Sequence, residues 1–158
     1  MPKLLLSLLI LACLIYFAYK WLPIAKDNSV QKKKPTPLNN SFQILANQPL
    51  VLAALVSLAV YERSSVKDIY GAIIQSILIP LSSQKDAMEA MIVARSFYSS
   101  ITDPIQIIDS ASKYLLPSLK KNEIQKFLSL LQDNMTELGG KNSPFYLNRL
   151  QLSLSHND

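Results

Sequence analysis

The chain has 158 residues and a formal charge of +5, with one cysteine, one histidine and three glycines. One cysteine excludes an intrachain disulfide or a thiolate cage, one histidine excludes an imidazole cluster, and three glycines are too few for a hairpin-rich β fold. Nucleic-acid binding is excluded by where the charge sits: residues 1–39 carry six lysines against one acid, while ten bases balance ten acids over residues 40–158.

An apolar run opens the sequence. Leu4 to Trp21 would rise roughly 27 Å as a helix at ~1.5 Å per residue, close to a hydrocarbon thickness of ~30 Å. Its leucines, isoleucines and phenylalanine favour insertion by about 3 to 6 kcal/mol. Residues 1–25 are therefore expected to form a single transmembrane anchor in the lipid bilayer, marked by Leu4, Leu8, Leu11, Ile15 and Trp21, with Pro23 closing it. Lys26, Lys32, Lys33 and Lys34 outnumber Lys3 on the other side. The positive-inside rule then predicts an outer N-terminus and a cytoplasmic remainder at a bacterial inner membrane.

Two processed forms compete with this anchor. Ile10-Leu11-Ala12-Cys13 resembles a lipobox, and acylation at Cys13 would leave a periplasmic lipoprotein; an ordinary cleaved signal is the other alternative. Leu14 to Ala18 stay apolar where a lipoprotein turns polar, which favours the uncleaved anchor.

Residues 26–46 read as a basic linker held extended by Pro35 and Pro37. From residue 47 to 158 the pattern is helical. Pro49 to Tyr61 is nearly all apolar yet short of the ~20 residues a second span needs, so it is expected to be the buried centre of a bundle. Ser65 with Asp68 resembles a capping box for a second helix, which runs to Ile79 and ends or kinks at Pro80. Ser83 opens a third to Ser99. Asp103-Pro104 opens a fourth, broken at Pro117; Asn122 with Gln125 opens a fifth, stopped by Gly139-Gly140; Ser143-Pro144 opens a last one to Leu154. The expected architecture is all-α: anchor, linker and a compact bundle of five to six helices.

No catalytic, cofactor-binding or metal-ligating constellation stands out. His156 lies near the end of the sequence, and Asp68, Asp86 and Asp103 fall where helix caps belong. The absence of a P-loop, a dinucleotide fingerprint or a nucleophile elbow leads to the expectation of a non-enzyme. Lys120-Lys121 with Lys113 and Lys126 is the one local basic grouping in the domain and reads as a helix end or a solvated face. Met88, Met91 and Tyr98 would line an adaptable groove for a partner helix, with core packing as the plainer use. Phe145 and Tyr146 make the last helix more apolar than an end requires; docking on the bundle and a contact surface are the two readings.

One span, a basic linker, an apolar helix at Pro49 to Tyr61, a tight Glu62-Arg63-Ser64-Ser65 turn and a second helix from Val66 together resemble membrane-anchored TerB-like domains, including those of certain DnaJ-like co-chaperones. The likeness covers Gln48 to Leu154 and is one of layout. Where that family has an acidic Asp-Gly turn this chain has Tyr61-Glu62-Arg63-Ser64, so no metal role carries over. No His-Pro-Asp tripeptide follows, so stimulation of a chaperone ATPase is not implied. The resemblance implies a scaffold. The expected function is protein–protein interaction by a membrane-held helical domain, as a small subunit of an envelope or secretion complex. An enzyme with a serine or carboxylate site hidden in the bundle is the remaining alternative, and it would need a polar-lined pocket.

Overall fold

The structure, a computed structural model, describes residues 38–155, with side chains from Phe42 onward. The expected anchor residues Leu4, Leu8, Leu11, Ile15 and Trp21, the lysines at 26, 32, 33 and 34, Cys13 and His156 lie outside the described residues. Those described form eight α-helices and no strand: α1 Leu38–Leu45, α2 Pro49–Val60, α3 Ile69–Ile73, α4 Gln84–Tyr98, α5 Pro104–Ser118, α6 Lys121–Asp133, α7 Met135–Leu138 and α8 Ser143–Ser155. No helix among them is long and apolar enough to cross a membrane.

Helix α2 is the axis around which the domain is built. Proline at its first position costs no hydrogen bond, because the N–H it lacks would have had no intrahelical partner. Every residue from Val51 to Val60 is buried, so the helix needs neighbours on all sides. Helices α4 and α5 pack along it, and α1, α3 and α8 complete the enclosure. Each fully buried leucine or valine in that helix contributes ~1.5–3 kcal/mol. Ser57, the lone polar side chain among them, is satisfied by donating to the Ala53 carbonyl at 2.7 Å.

Helix α1 corrects the expected linker. Residues 38–45 are helical, and Phe42 and Leu45 are each only 1% exposed, so the bundle begins before residue 47. Two polar asparagines and the nearby prolines suggested extended chain, but two buried apolar side chains three positions apart, on one helix face, outweigh that local preference.

The second helix also differs from its expected form. Asp68, not Ser65, is its cap, accepting from the Gly71 N–H at 3.0 Å, and Ser64 instead accepts from the Val66 N–H at 3.2 Å. The α-helical part ends at Ile73. A π turn follows over Ile74–Leu78, where the Ile79 N–H reaches back to the Ile74 carbonyl, and a 3-10 turn over Ile79–Leu81 carries Pro80. Pro80 has no N–H to give, and its ring crowds the carbonyl four residues back, so the preceding turn widens. The wider winding still keeps Ile73, Ile77 and Leu78 fully buried.

Pro117 does not break α5, which continues to Ser118. So close to the helix end, it removes only the N–H that would meet the Lys113 carbonyl. The Ser118 hydroxyl donates to the carbonyls of Tyr114 and Leu115 and closes the last turn. Helix α6 starts one residue earlier than Asn122, because the Glu123 carboxylate accepts from the Lys120 N–H at 2.8 Å. It pauses at Asn134, whose side-chain amide donates to the Leu130 carbonyl at 2.8 Å, before the short α7. Helix α8 is fastened to α5 by a two-pronged ion pair: Arg149 Nε to Asp109 Oδ1 at 2.8 Å and Nη2 to Oδ2 at 2.6 Å.

Candidate partner-docking surface

Met88 and Met91 sit on α4 three residues apart, about 60° around the helix. That angle straddles the edge of the core. Met91 is 2% exposed and packs inside, whereas Met88 is 50% exposed, so the two do not share a groove. Phe145 and Tyr146 divide in the same way, Phe145 outward and Tyr146 inward, with their rings edge to face at 5.7 Å between centroids.

The structure does bring Tyr98 and Tyr146 together, around Glu62. The Tyr146 hydroxyl donates to Glu62 Oε2 at 3.1 Å, and burial together with that acceptor raises its pKa. Burial, then the Glu62 charge, pushes Tyr98 up to about 12, with smaller effects from Tyr146 and Tyr70. Beside them the Arg95 guanidinium lies 4.0 Å above the Tyr70 ring, walling a hollow of about 440 Å³ that Ile92, Tyr98 and two serines complete. At neutral pH these phenols stay protonated. They can donate hydrogen bonds but offer no base. Among the described residues, no three His, Cys, Asp or Glu side chains come close enough to hold a metal ion.

A larger feature lies between α5, α6 and α8. Three helical stripes converge there: Lys113, Leu116 and Pro117 from α5; Lys121, Ile124, Gln125 and Leu128 from α6; Gln151, Leu154 and Ser155 from α8, with Leu119 at the α5–α6 turn. They enclose a trough of about 900 Å³. Its floor is apolar and half-buried, and its walls at Lys113, Gln125 and Gln151 are exposed. Three i, i+3, i+4 stripes facing one another fix the trough's shape, since each helix is held from behind by core residues such as Leu115, Phe127 and Leu150.

Helical spacing puts Ile124 and Leu128 on the same side of α6 as the buried Phe127 and Leu131, and both are left half-buried at the trough. The lysine grouping was the available signal, and the fold divides it. Lys113 and Lys121 face the trough, while Lys126 turns away and donates to the Pro80 carbonyl. No protein-family model, curated protein or solved structure matches this chain.

Proposed function

We propose that this chain is a non-enzymatic docking scaffold, a helical domain held at a bacterial inner membrane by residues 4–21 and facing the cytoplasm. The observation that carries the reading is the trough between α5, α6 and α8: an open apolar floor with exposed walls on a domain whose central helix is fully enclosed. The open shape argues against a small-molecule pocket, which would need to surround its ligand. The balanced charge of residues 40–158 argues against a nucleic-acid face. A TerB-like layout, a scaffold behind a membrane anchor, fits the same role. The envelope or secretion assembly remains the setting we infer for it.

The test is photo-crosslinking in intact cells from single positions on the domain: Gln125 at the trough, Ile92 on α4 and Phe145 on α8. A discrete adduct to another protein from at least one position supports docking; only diffuse or absent adducts from all three overturn it. The alternative reading, a periplasmic lipoprotein, is favoured by Ile10-Leu11-Ala12-Cys13. Mass spectrometry of the mature N-terminus separates the two, because a diacylated Cys13 removes the transmembrane tether.

A further inference from the structure

We infer that the hollow beside Arg95 binds a phosphate monoester, its oxygens on the guanidinium and the neighbouring hydroxyls and its organic group against Ile92 and Tyr70. The inference concerns a small ligand at a different face of the domain and does not depend on the docking function. Four observations carry it.

The first is an arginine without a counter-ion. Among the described residues no carboxylate pairs with Arg95 and no carbonyl accepts from it; its guanidinium rests on the Tyr70 ring, 4.0 Å from the centroid, and on nothing else. Stacking leaves the edge N–H groups free. It also holds the plane of the fork, so less side-chain freedom is lost when an oxyanion arrives. No acid lines the hollow, and Arg95 is its one charge. Glu62, whose charge Tyr98 feels, is not among the lining residues and is held by the Tyr146 hydroxyl.

The second is the arrangement of hydroxyls around that fork. At about 100° per residue along α4, Tyr98 stands about 60° to one side of Arg95, while Ser99 and Ser96 stand about 40° and 100° to the other. Tyr70 comes across from α3. The hydroxyls of Tyr70, Ser96 and Tyr98 make no hydrogen bond among the described residues, and the half-buried Tyr98 still opens its oxygen to solvent. Donors on both flanks of one guanidinium suit a tetrahedral group with three terminal oxygens; a planar carboxylate would be satisfied by the fork alone.

The third is the helix end. Ser96, Tyr98 and Ser99 lie at the last turn of α4, where bare carbonyls would repel an anion. These carbonyls are occupied. The Ser99 N–H bonds to that of Arg95 at 3.0 Å and the Ser99 hydroxyl to that of Ser96 at 2.9 Å. The Ser100 hydroxyl takes that of Phe97 at 2.7 Å, and the Ile101 N–H that of Tyr98 at 3.2 Å. The fourth is room beside an apolar shelf. The hollow of about 440 Å³ falls within the ~300–1,000 Å³ of ligand sites, and Ile92 is 67% exposed at its edge. A bare phosphate would leave that shelf wet; an ester covers it.

The experiment uses the full chain in nanodiscs of neutral lipid, with empty nanodiscs as the blank. Saturation-transfer NMR titrates phenyl phosphate, with inorganic phosphate and benzoate as competitors. Phenyl phosphate should bind saturably and about fivefold or more tighter than either competitor. Arg95→Gln should weaken it about tenfold or more and Tyr98→Phe about threefold, and Arg95→Lys, which keeps the charge but loses the fork, should recover only part. Lys85→Gln, on the same helix but outside the hollow, should leave it unchanged. A second arm tests a lipid source: capture of the nanodiscs by vesicles containing phosphatidic acid, a monoester, against vesicles of the diester phosphatidylglycerol. Arg95-dependent binding of phenyl phosphate assigns the site to soluble esters, and Arg95-dependent capture by phosphatidic acid alone assigns it to the headgroup. A tie with inorganic phosphate or benzoate overturns the inference. So does equal weakening by Arg95→Gln and Lys85→Gln, equal capture by the two kinds of vesicle without phenyl phosphate binding, or no binding in either arm.

Discussion

The Tyr61 hydroxyl donates a 2.7 Å hydrogen bond to the carbonyl of Leu131, seventy residues away, joining the end of the central helix to the last turn of α6. That carbonyl lies where helix α6 runs out of N–H partners, so a side chain from another element serves as its cap. Burial, reinforced by Asp133, holds the phenol protonated well above its ordinary range. Tyr61→Phe keeps the ring and deletes the bond. It should cost about 1–2 kcal/mol, read as a lower urea midpoint with an unchanged m-value.

Alkaline pH should weaken the fold through Tyr98. Its ordinary value is 10.0 and its folded value about 12, so the unfolded chain releases this proton first as pH rises. The contribution is whole below pH 10.0 and is lost as pH climbs toward 12. Stability followed by denaturant titration should therefore decline across that window. Tyr98→Phe should make the decline shallower, and an equally steep decline in the variant would refute the assignment to Tyr98.

Arg63 follows the end of α2 with φ at 57°, a left-handed conformation that L side chains avoid. Relieving it recovers about 1–2 kcal/mol, and glycine's extra freedom in the unfolded chain returns about 0.5–1 of that. Arg63→Gly should therefore stabilise by about 0.5–1 kcal/mol. Arg63→Val, β-branched at the same position, should destabilise, and thermal melts of the pair test the ordering.

Gly140 supports that same turn from the other side. A Cβ there would stand 2.5 Å from the Glu62 carbonyl oxygen and 2.9 Å from that of Arg63, both backbone atoms with little room to move. Gly140→Ala should cost about 1–3 kcal/mol or more, the range for forcing a methyl into filled space. Faster hydrogen exchange in the 61–64 turn and at the start of α8 should accompany it. Exchange unchanged in both places would count against this packing.

Local chemistry made much of the fold legible in advance. Ser83 accepts from the Asp86 N–H at 3.2 Å and Asp103 from the Ile105 N–H at 2.9 Å, because a cap is decided by residues two or three positions apart. The buried centre at Pro49–Val60 was equally readable, since a helix apolar all round has nowhere to go but inside. Helix α1 was not. Its burial depends on the α5 surface against which it packs, and that surface is far away along the chain.

By itself, then, the amino-acid order determined the all-α class, the central helix and the caps at Ser83 and Asp103, all of them outcomes of neighbours within one or two helical turns. Only the tertiary structure decided that Met91 turns inward while Met88 faces solvent, that Tyr98 and Tyr146 gather at Glu62, and that Ile124 and Leu128 floor a trough beneath Lys113. The reason is physical. Periodicity fixes which side chains share a helix face, but whether that face is covered depends on where the other helices stop, and their lengths and angles are set by packing around α2.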